Sequence, residues 1–174
     1  MQQFLSAIKK SVEEKNWFAA LFLSLAMPDI CAQTENPSQR YARDIGAKYQ
    51  AWFDKYLSHY YAHPDQAGVP TGFLARDCWS FRCKCLHQGL TAVERESINK
   101  FSFRAPIAPQ GNIVIGILRA KGEMSIQIDD FAIKVCQGVE KWLEDVSDDK
   151  AVTQRIAELL EINDEHYAGI VRIN

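Results

Sequence analysis

An arginine and a histidine five positions apart, Arg82 and His87, are the residues of this chain whose types best suit joint chemistry. A guanidinium can hold and neutralise a phosphate, and an imidazole can move a proton near neutral pH. Both lie in the segment TGFLARDCWSFRCKCLHQG, residues 71–89, which begins with a candidate N-cap, Thr71, and ends at Gly89. The pair therefore indicates phosphate chemistry assisted by a general acid or base.

The segment that must position this pair predicts one helix, over residues 73–88. No proline interrupts it, and Gly89 suits the left-handed position that follows a helix end. On a wheel of about 100° per residue, its apolar side chains share one arc. They are Leu74, Ala75, Cys78, Trp79, Phe81, Cys85 and Leu86. Arg82 falls inside this arc, so we expect it to be largely buried against a carboxylate, a carbonyl group or a partner subunit.

The spacing of the pair also makes a geometric prediction. On an ideal helix, the side chains of Arg82 and His87 point about 140° apart and lie roughly 7 to 8 Å apart along the axis. One protomer would not easily aim both at one atom unless the helix end unwinds at Gly89. Two antiparallel copies across a dimer could do so jointly.

An Arg, four residues and then a His near the end of a helix, in a mainly helical chain, resembles the HEPN superfamily. Active members of that family are metal-independent ribonucleases that work as dimers. The resemblance covers residues 71–89 directly, and it implies that Arg82 holds the scissile phosphate while His87 is the general acid or base. It further implies a homodimer, RNA as a ligand, a toxin or defence role, and a cognate antitoxin or other partner protein.

Three neighbouring residues are accessory candidates within the same pattern. In the HEPN family the residue after the Arg is often Asn or another polar residue, and here it is Cys83. Asp77, on the polar face of the predicted helix, could orient a neighbour or cap a basic group. Gln88 is a further polar candidate.

Length and composition favour one domain over residues 1–174. Apolar residues make up 47% of the chain, enough for a sizeable core. The net charge of −2 excludes a generally basic protein, so any RNA contact would be a local patch. The first residues show no signal-peptide pattern, and the longest nearly charge-free run, residues 16–28, is too short to span a bilayer. We therefore expect a soluble cytoplasmic protein with no membrane segment.

Hydrophobic periodicity predicts a mainly α fold, a bundle of about five to six helices. Its helical core comprises residues 3–90 and 129–162, and a small antiparallel β-hairpin or sheet is inserted near residues 98–128. The last two strands are expected to pair. Asp129 can cap the helix that follows them.

The N-terminal half of the bundle contains three predicted helices before the Arg82 segment. The first covers residues 3–14, and the second starts after Asn16 and is broken or restarted at Pro28. The third runs from Ser38 to about residue 63.

A metal site is the main alternative chemistry in the sequence. His59 and His63 lie one helical turn apart and, with Asp65, could supply three ligands. They also lie where a helix end meets a loop, and polar tips there need no function. The five cysteines include no CxxC pair and are expected to be structural thiols. We therefore expect neither fold nor activity to depend on a metal or cofactor.

Two non-enzymatic interpretations stand beside the ribonuclease hypothesis. In a helical interaction protein, Arg82 would pair with a buried carboxylate, and His87 would only hydrogen-bond a carbonyl near the helix end. The chain could also be an inactive HEPN-like partner of another protein. Sequence alone leaves open the catalytic activity, the RNA substrate, the oligomeric state, the partner and the pathway.

Overall fold

In the computed structural model, most residues in regular secondary structure are helical. This confirms the predicted mainly α class. The structure describes residues 1–37, 44–64, 66–67, 70–89, 100–106, 117–120 and 123–162. The helices in these ranges are α1 Gln2–Glu13, α2 Trp17–Glu35, α3 Ile45–Tyr56, α4 Ser58–Tyr61, α5 Ala75–Gln88, α6 Ile128–Asp145 and α7 Lys150–Ala157. The strands are β1 Ala62–Pro64, β2 Pro70–Gly72, β3 Lys100–Arg104, β4 Ile117–Ala120 and β5 Glu123–Gln127.

Helix α2 is the centre of the bundle and packs against α1, α3, α5, α6 and α7. Its first turn is capped as the sequence predicts, since the Asn16 side chain accepts the backbone N–H of Ala19 at 3.3 Å. The predicted break at Pro28 is wrong, because α2 continues through this buried proline to Glu35. Proline removes one backbone hydrogen bond, and the packing of α2 on its neighbours outweighs that loss.

The unbroken α2 extends beyond the apolar run of residues 16–28, which the sequence analysis judged too short to span a bilayer. Over Trp17–Glu35 the helix is long and apolar enough to cross a membrane, judged by length and composition only. Half of its most apolar window is buried inside the protein. The core helix of a soluble protein shows the same combination of length, composition and burial.

The buried apolar side chains form one cluster that joins the helices to β5. Aromatic rings fill much of it, and the largest fully buried ones are Tyr49, Phe53, Tyr61, Phe73, Phe81, Phe131 and Trp142. The ring of Phe103 on β3 lies 5.2 Å from that of Phe131 on α6, so the small sheet covers this end of the bundle. The Phe103 ring also lies 4.7 Å from that of Phe81, so the sheet packs against α5 as well.

The third predicted helix is shorter than expected and is followed by a hairpin that the sequence did not reveal. Residues 38–43 lie outside the described ranges; α3 begins at Ile45, and Leu57 separates it from α4. Strand β1 then pairs antiparallel with β2, with Ala62 opposite Gly72. Gly72 has φ 104°, and a β-carbon there would collide with the backbone oxygen of Tyr61. This glycine therefore permits the tight return that sets the start of α5.

The three-stranded sheet has the order β3-β5-β4. Its last two strands pair antiparallel as predicted, with Leu118 opposite Ser125. The expectation of an all-antiparallel sheet is wrong, because β3 is parallel to β5, with Phe103 opposite Ile126. Alternation of apolar residues identifies the two faces of a strand, but it carries no information about the direction of the neighbouring strand.

Candidate functional site

The candidate site is at the C-terminal end of α5. The helix begins at Ala75, two residues later than predicted, and its N-cap is Leu74. The prediction of Thr71 as N-cap is wrong, since this residue lies in β2. The other end is as predicted: Gly89 adopts a left-handed conformation at φ 66°, and its N–H bonds to the carbonyls of the last turn.

Arg82 forms an ion pair with Asp29 of α2. Its Nη2 donates to Asp29 Oδ2 at 2.6 Å, and the two side chains are only 17% and 18% exposed. The prediction that Arg82 is largely buried and contacts a carboxylate is thus confirmed. The guanidinium carbon lies 5.3 Å from the centre of the Trp79 ring, so the cation also rests on an aromatic face.

Arg82 also meets His87 within the same protomer. Its Nη1 lies 3.1 Å from His87 Nε2, at hydrogen-bond distance. The two side chains therefore meet within one protomer, and α5 stays helical to Gln88 without unwinding. Whether one protomer can aim both at a single substrate atom stays a prediction. The long arginine side chain spans the axial separation that the wheel attributes to the two Cα positions.

In the contact between Arg82 and His87, the arginine can only be the donor. A guanidinium has five N–H donors and no acceptor, so Nη1 donates and His87 Nε2 accepts. For His87 Nε2 to accept this hydrogen bond, that nitrogen must carry no proton. Because His87 is exposed while Arg82 is mostly covered, the cluster opens to solvent on the histidine side.

The guanidinium retains hydrogen-bonding capacity after these two contacts. One Nη2 hydrogen goes to Asp29 and one Nη1 hydrogen to His87. The buried Nε makes no hydrogen bond within the described residues. One hydrogen on each Nη therefore has no partner assigned within the described residues. The row of carboxylate, guanidinium and imidazole suits binding of an anionic oxygen next to a proton acceptor.

The accessory candidates take up different positions on α5. Cys83, next to Arg82, is partly buried, and Gln88 is exposed in the last turn beside His87. Asp77 is buried, and its Oδ2 accepts the backbone N–H of Leu74 at 3.1 Å. It therefore acts as a helix cap, and it lies roughly 15 Å of helix away from His87.

The buried cysteines behave as the structural thiols that the sequence predicts. Burial raises the pKa of the Cys78 thiol to about 12, and the Tyr49 hydroxyl lies 3.2 Å from its Sγ. Burial likewise raises the pKa of Cys136 to about 11. Such thiols remain protonated at neutral pH and do not act as nucleophiles.

Most of the predicted metal ligands fall outside the residues that the structure describes. The His63 side chain and Asp65 fall outside the described residues, whereas the exposed His59 is on α4. In the described part of the chain, no group of three or more His, Cys, Asp and Glu side chains could hold a metal ion.

Comparisons with protein-family models, curated proteins and solved structures found no match to this chain. The site is therefore characterised by its own geometry. Sequence reasoning gave Asp29 and Trp79 no role in it. The signal for Asp29 was hidden because the expected break at Pro28 removed this residue from the helix that carries it to Arg82.

Proposed function

We propose that the chain is an HEPN-like, metal-independent endoribonuclease in which Arg82 and His87 act on one phosphodiester bond. The observation that carries this proposal is the 3.1 Å contact between Arg82 Nη1 and His87 Nε2 in a single protomer. The two residues singled out by the family resemblance are 5 positions apart in sequence, and the fold brings their functional atoms together. No metal or other cofactor is required.

The reaction follows from the donors and acceptors of the two side chains. A phosphate oxygen binds the remaining Nη hydrogens of Arg82, and the ribose 2′-hydroxyl takes the place of Nη1 at His87 Nε2. The released Nε2 lone pair then accepts the proton of the ribose 2′-hydroxyl. The 2′-oxygen attacks phosphorus, the bond from phosphorus to the 5′-oxygen breaks, and the leaving oxygen takes a proton from a protonated histidine of a second copy. The products are a 2′,3′-cyclic phosphate and a 5′-hydroxyl end.

Asp29 is a positioning residue in this mechanism. Its 2.6 Å bond to Nη2 holds the guanidinium at the end of α5, where Nη1 faces His87. Without that bond, a flexible arginine would lose rotamer entropy each time it engaged the phosphate. The carboxylate also partly offsets the charge of Arg82, so phosphate binding is weaker than at an unpaired guanidinium.

The setting of the proposed enzyme is a cytoplasmic homodimer that binds single-stranded RNA. A second copy with its α5 facing the first would supply the equivalent histidine as the acid for the leaving oxygen. A toxin or defence role, with a cognate antitoxin or other partner protein, accompanies this function in the resemblance. Catalysis requires the open histidine side of the cluster to face the RNA.

A non-catalytic interaction protein is the second candidate, and the Asp29–Arg82 ion pair favours it. An ion pair with a carboxylate of the same protomer is enough to explain why this arginine is largely buried. In this case the contact with His87 closes a surface network, and the chain acts by binding a partner. An inactive HEPN-like subunit would show the same geometry.

Cleavage of RNA in EDTA separates the two candidates. Purified protein should cut a single-stranded RNA and leave a 2′,3′-cyclic phosphate, which mass spectrometry of the products identifies. His87→Ala should abolish the cleavage, whereas His59→Ala, which changes an exposed histidine on α4, should retain it. Equal trace cleavage by parent and His87→Ala protein would identify a contaminant and leave the non-catalytic function in place.

A further inference from the structure

A pocket of about 170 Å³ lies where the C-terminal end of α2 packs on α3. On the α2 side it is lined by Ala32, Glu35 and Asn36, whose spacing of three and four residues puts them on one face of the helix. The α3 side shows the same spacing. It is lined by Lys48, Ala51, Trp52, Lys55 and Tyr56. None of these residues belongs to the Arg82–His87 cluster, so the pocket is a separate feature of the fold.

The two walls of the pocket carry charges of opposite sign. The α2 wall presents the carboxylate of Glu35, at the end of the helix where the dipole is negative. The α3 wall presents two lysines, Lys48 and Lys55, seven residues and therefore about 10 Å apart along the helix axis. Lys48 is already held in place, since its Nζ lies 2.9 Å from both Asn36 O and Asp44 Oδ2. A pocket with one anionic and one cationic wall suits a ligand that carries both charges.

The carboxylate of Glu35 is fixed and still able to accept a cation. Its Oε2 accepts the Nε1–H of Trp142 at 2.7 Å, which ties the side chain to α6. Within the described residues, no hydrogen bond reaches its other oxygen, Oε1. A carboxylate with one oxygen anchored and the other open is a suitable partner for an ammonium group.

Lys55 is the cation of this pocket that an incoming carboxylate can best reach. Its side chain is 56% exposed, and its Nζ lies 3.4 Å from Asp145 Oδ2. Asp145 also pairs with Lys141 at 3.0 Å and accepts the hydroxyl of Tyr56 at 3.2 Å. Because three donors share this one carboxylate, a second carboxylate at Lys55 would meet an ammonium that is only partly neutralised.

The space between the charged groups is small and partly aromatic. Trp52 and Tyr56 are 4% and 3% exposed, and their ring centroids lie 5.0 Å apart. The volume is below the roughly 300 to 1,000 Å³ of pockets that hold drug-sized ligands. The occupant is therefore a small molecule with an ammonium, a carboxylate and an apolar group.

We propose that this pocket binds a free α-amino acid with an apolar side chain. Its ammonium pairs with Glu35, its carboxylate pairs with Lys55, and its side chain packs on Trp52 and Tyr56. This binding function goes beyond the proposed ribonuclease and does not depend on it, because the two sites have no residue in common.

The test measures affinity for an amino acid and for two analogues that each lack one charge. Isothermal titration calorimetry on the full chain compares L-leucine with isocaproate, which lacks the ammonium, and with isoamylamine, which lacks the carboxylate. Leucine should bind about 5-fold more tightly than either analogue, the affinity that one half-exposed ion pair contributes. Binding should also raise the melting temperature as the leucine concentration increases.

Two substitutions assign the charges to their walls. Lys55→Met should reduce the affinity for leucine to that for isoamylamine. Glu35→Gln should reduce it to that for isocaproate, and its amide oxygen can still accept the Nε1–H of Trp142. Lys9→Met is the matched control, since it breaks another half-exposed ion pair, with Glu140, and should leave the affinity unchanged.

Three outcomes would overturn the amino-acid site. One is the absence of binding at millimolar leucine. Another is equal affinity for leucine and isocaproate, which would identify a simple anion site. The third is an equal loss of affinity in Lys55→Met and Lys9→Met protein, which would reduce the effect to net charge. The analogues test the site even if a variant melts early, because they are applied to the unaltered protein.

Discussion

The two ends of α5 use their polar residues in opposite ways. At the N-terminal end, Asp77 is buried and its carboxylate accepts a backbone N–H of the same turn. At the C-terminal end, Arg82 reaches across to Asp29 of another helix and along α5 to the exposed His87, with donors to spare. A buried acid with a local backbone partner is explained by folding. A shared cation with unused donors beside an exposed imidazole is what a ligand site requires.

The largest effect that would test this contrast is on activity at the C-terminal end. His87→Ala should lower the RNA cleavage rate by about 10² to 10⁴, because it removes the positioned acid or base. The thermal melt should be unchanged, since an exposed side chain contributes little to folding. Rate and melting temperature are measured on the same preparation. A lower melting temperature would show that His87 contributes to folding, and the two ends of α5 would then not differ in the use of their polar residues.

Arg82→Ala should destabilise the protein by about 3 kcal/mol, because it leaves the carboxylate of Asp29 largely buried and unpaired. Urea unfolding measures this free energy. Lys9→Ala is the control: it breaks an ion pair with Glu140 in which both side chains are about half exposed, and it should cost less than about 1 kcal/mol. Equal costs for the two variants would mean that the Asp29–Arg82 pair behaves as an ordinary surface contact.

Arg82→Lys should preserve more stability than Arg82→Ala but still impair cleavage, since an ammonium lacks the planar fork.

At the N-terminal end, Asp77→Ala should lower the free energy of unfolding by about 1 to 2 kcal/mol through loss of the cap. Asp77→Asn, which keeps an acceptor for the Leu74 N–H, should recover most of this. The cleavage rate per folded molecule, with the folded fraction obtained from circular dichroism, tells the cap from an accessory catalytic role. A rate that falls at constant folded fraction would support the accessory role predicted from the sequence.

The smallest expected effect is at Gly89. Its φ of 66° is strained for any residue with a β-carbon, so Gly89→Ala should cost about 1 kcal/mol in unfolding free energy. Gly89→Asn should cost less, because asparagine tolerates the left-handed region. Unfolding in urea measures free-energy differences of this size. If Ala and Asn variants were equally stable, the backbone at this end would adopt another conformation in solution.

The sequence predicted the parts of this site that depend on local periodicity. The burial of Arg82 followed from its position in the apolar arc, and the end of α5 followed from Gly89. The partner of Arg82 could not be predicted, because the contact with Asp29 joins residues 53 positions apart and depends on how α2 packs on α5. The meeting with His87 was missed because a helical wheel places Cα positions and ignores the reach of a long side chain.

The fold was predictable to a similar depth. Helical periods identified α1 and α6, and at the start of α2 the pattern and the capping residue Asn16 agreed. The prediction of Asp129 as the cap of α6 was wrong, because α6 begins at Ile128 and its N-cap is Gln127. The expected break at Pro28 and the expected cap at Thr71 were wrong for one reason: each rested on the local preference of a single residue. Tertiary packing decided both positions. Strand direction in the small sheet depends on chain topology, which residue alternation does not record.

The central position of α2 has a consequence for the synthesis of the chain. Its main partner, α6, ends at Asp145, 110 residues after α2 ends at Glu35. At about 5 to 20 residues per second, a ribosome takes roughly 6 to 22 s to make that interval. During this time the apolar surface that α6 later covers has no docking partner. The nascent chain therefore exposes a long apolar helix early in translation, and transiently exposed apolar surface of this kind makes folding intermediates prone to aggregation.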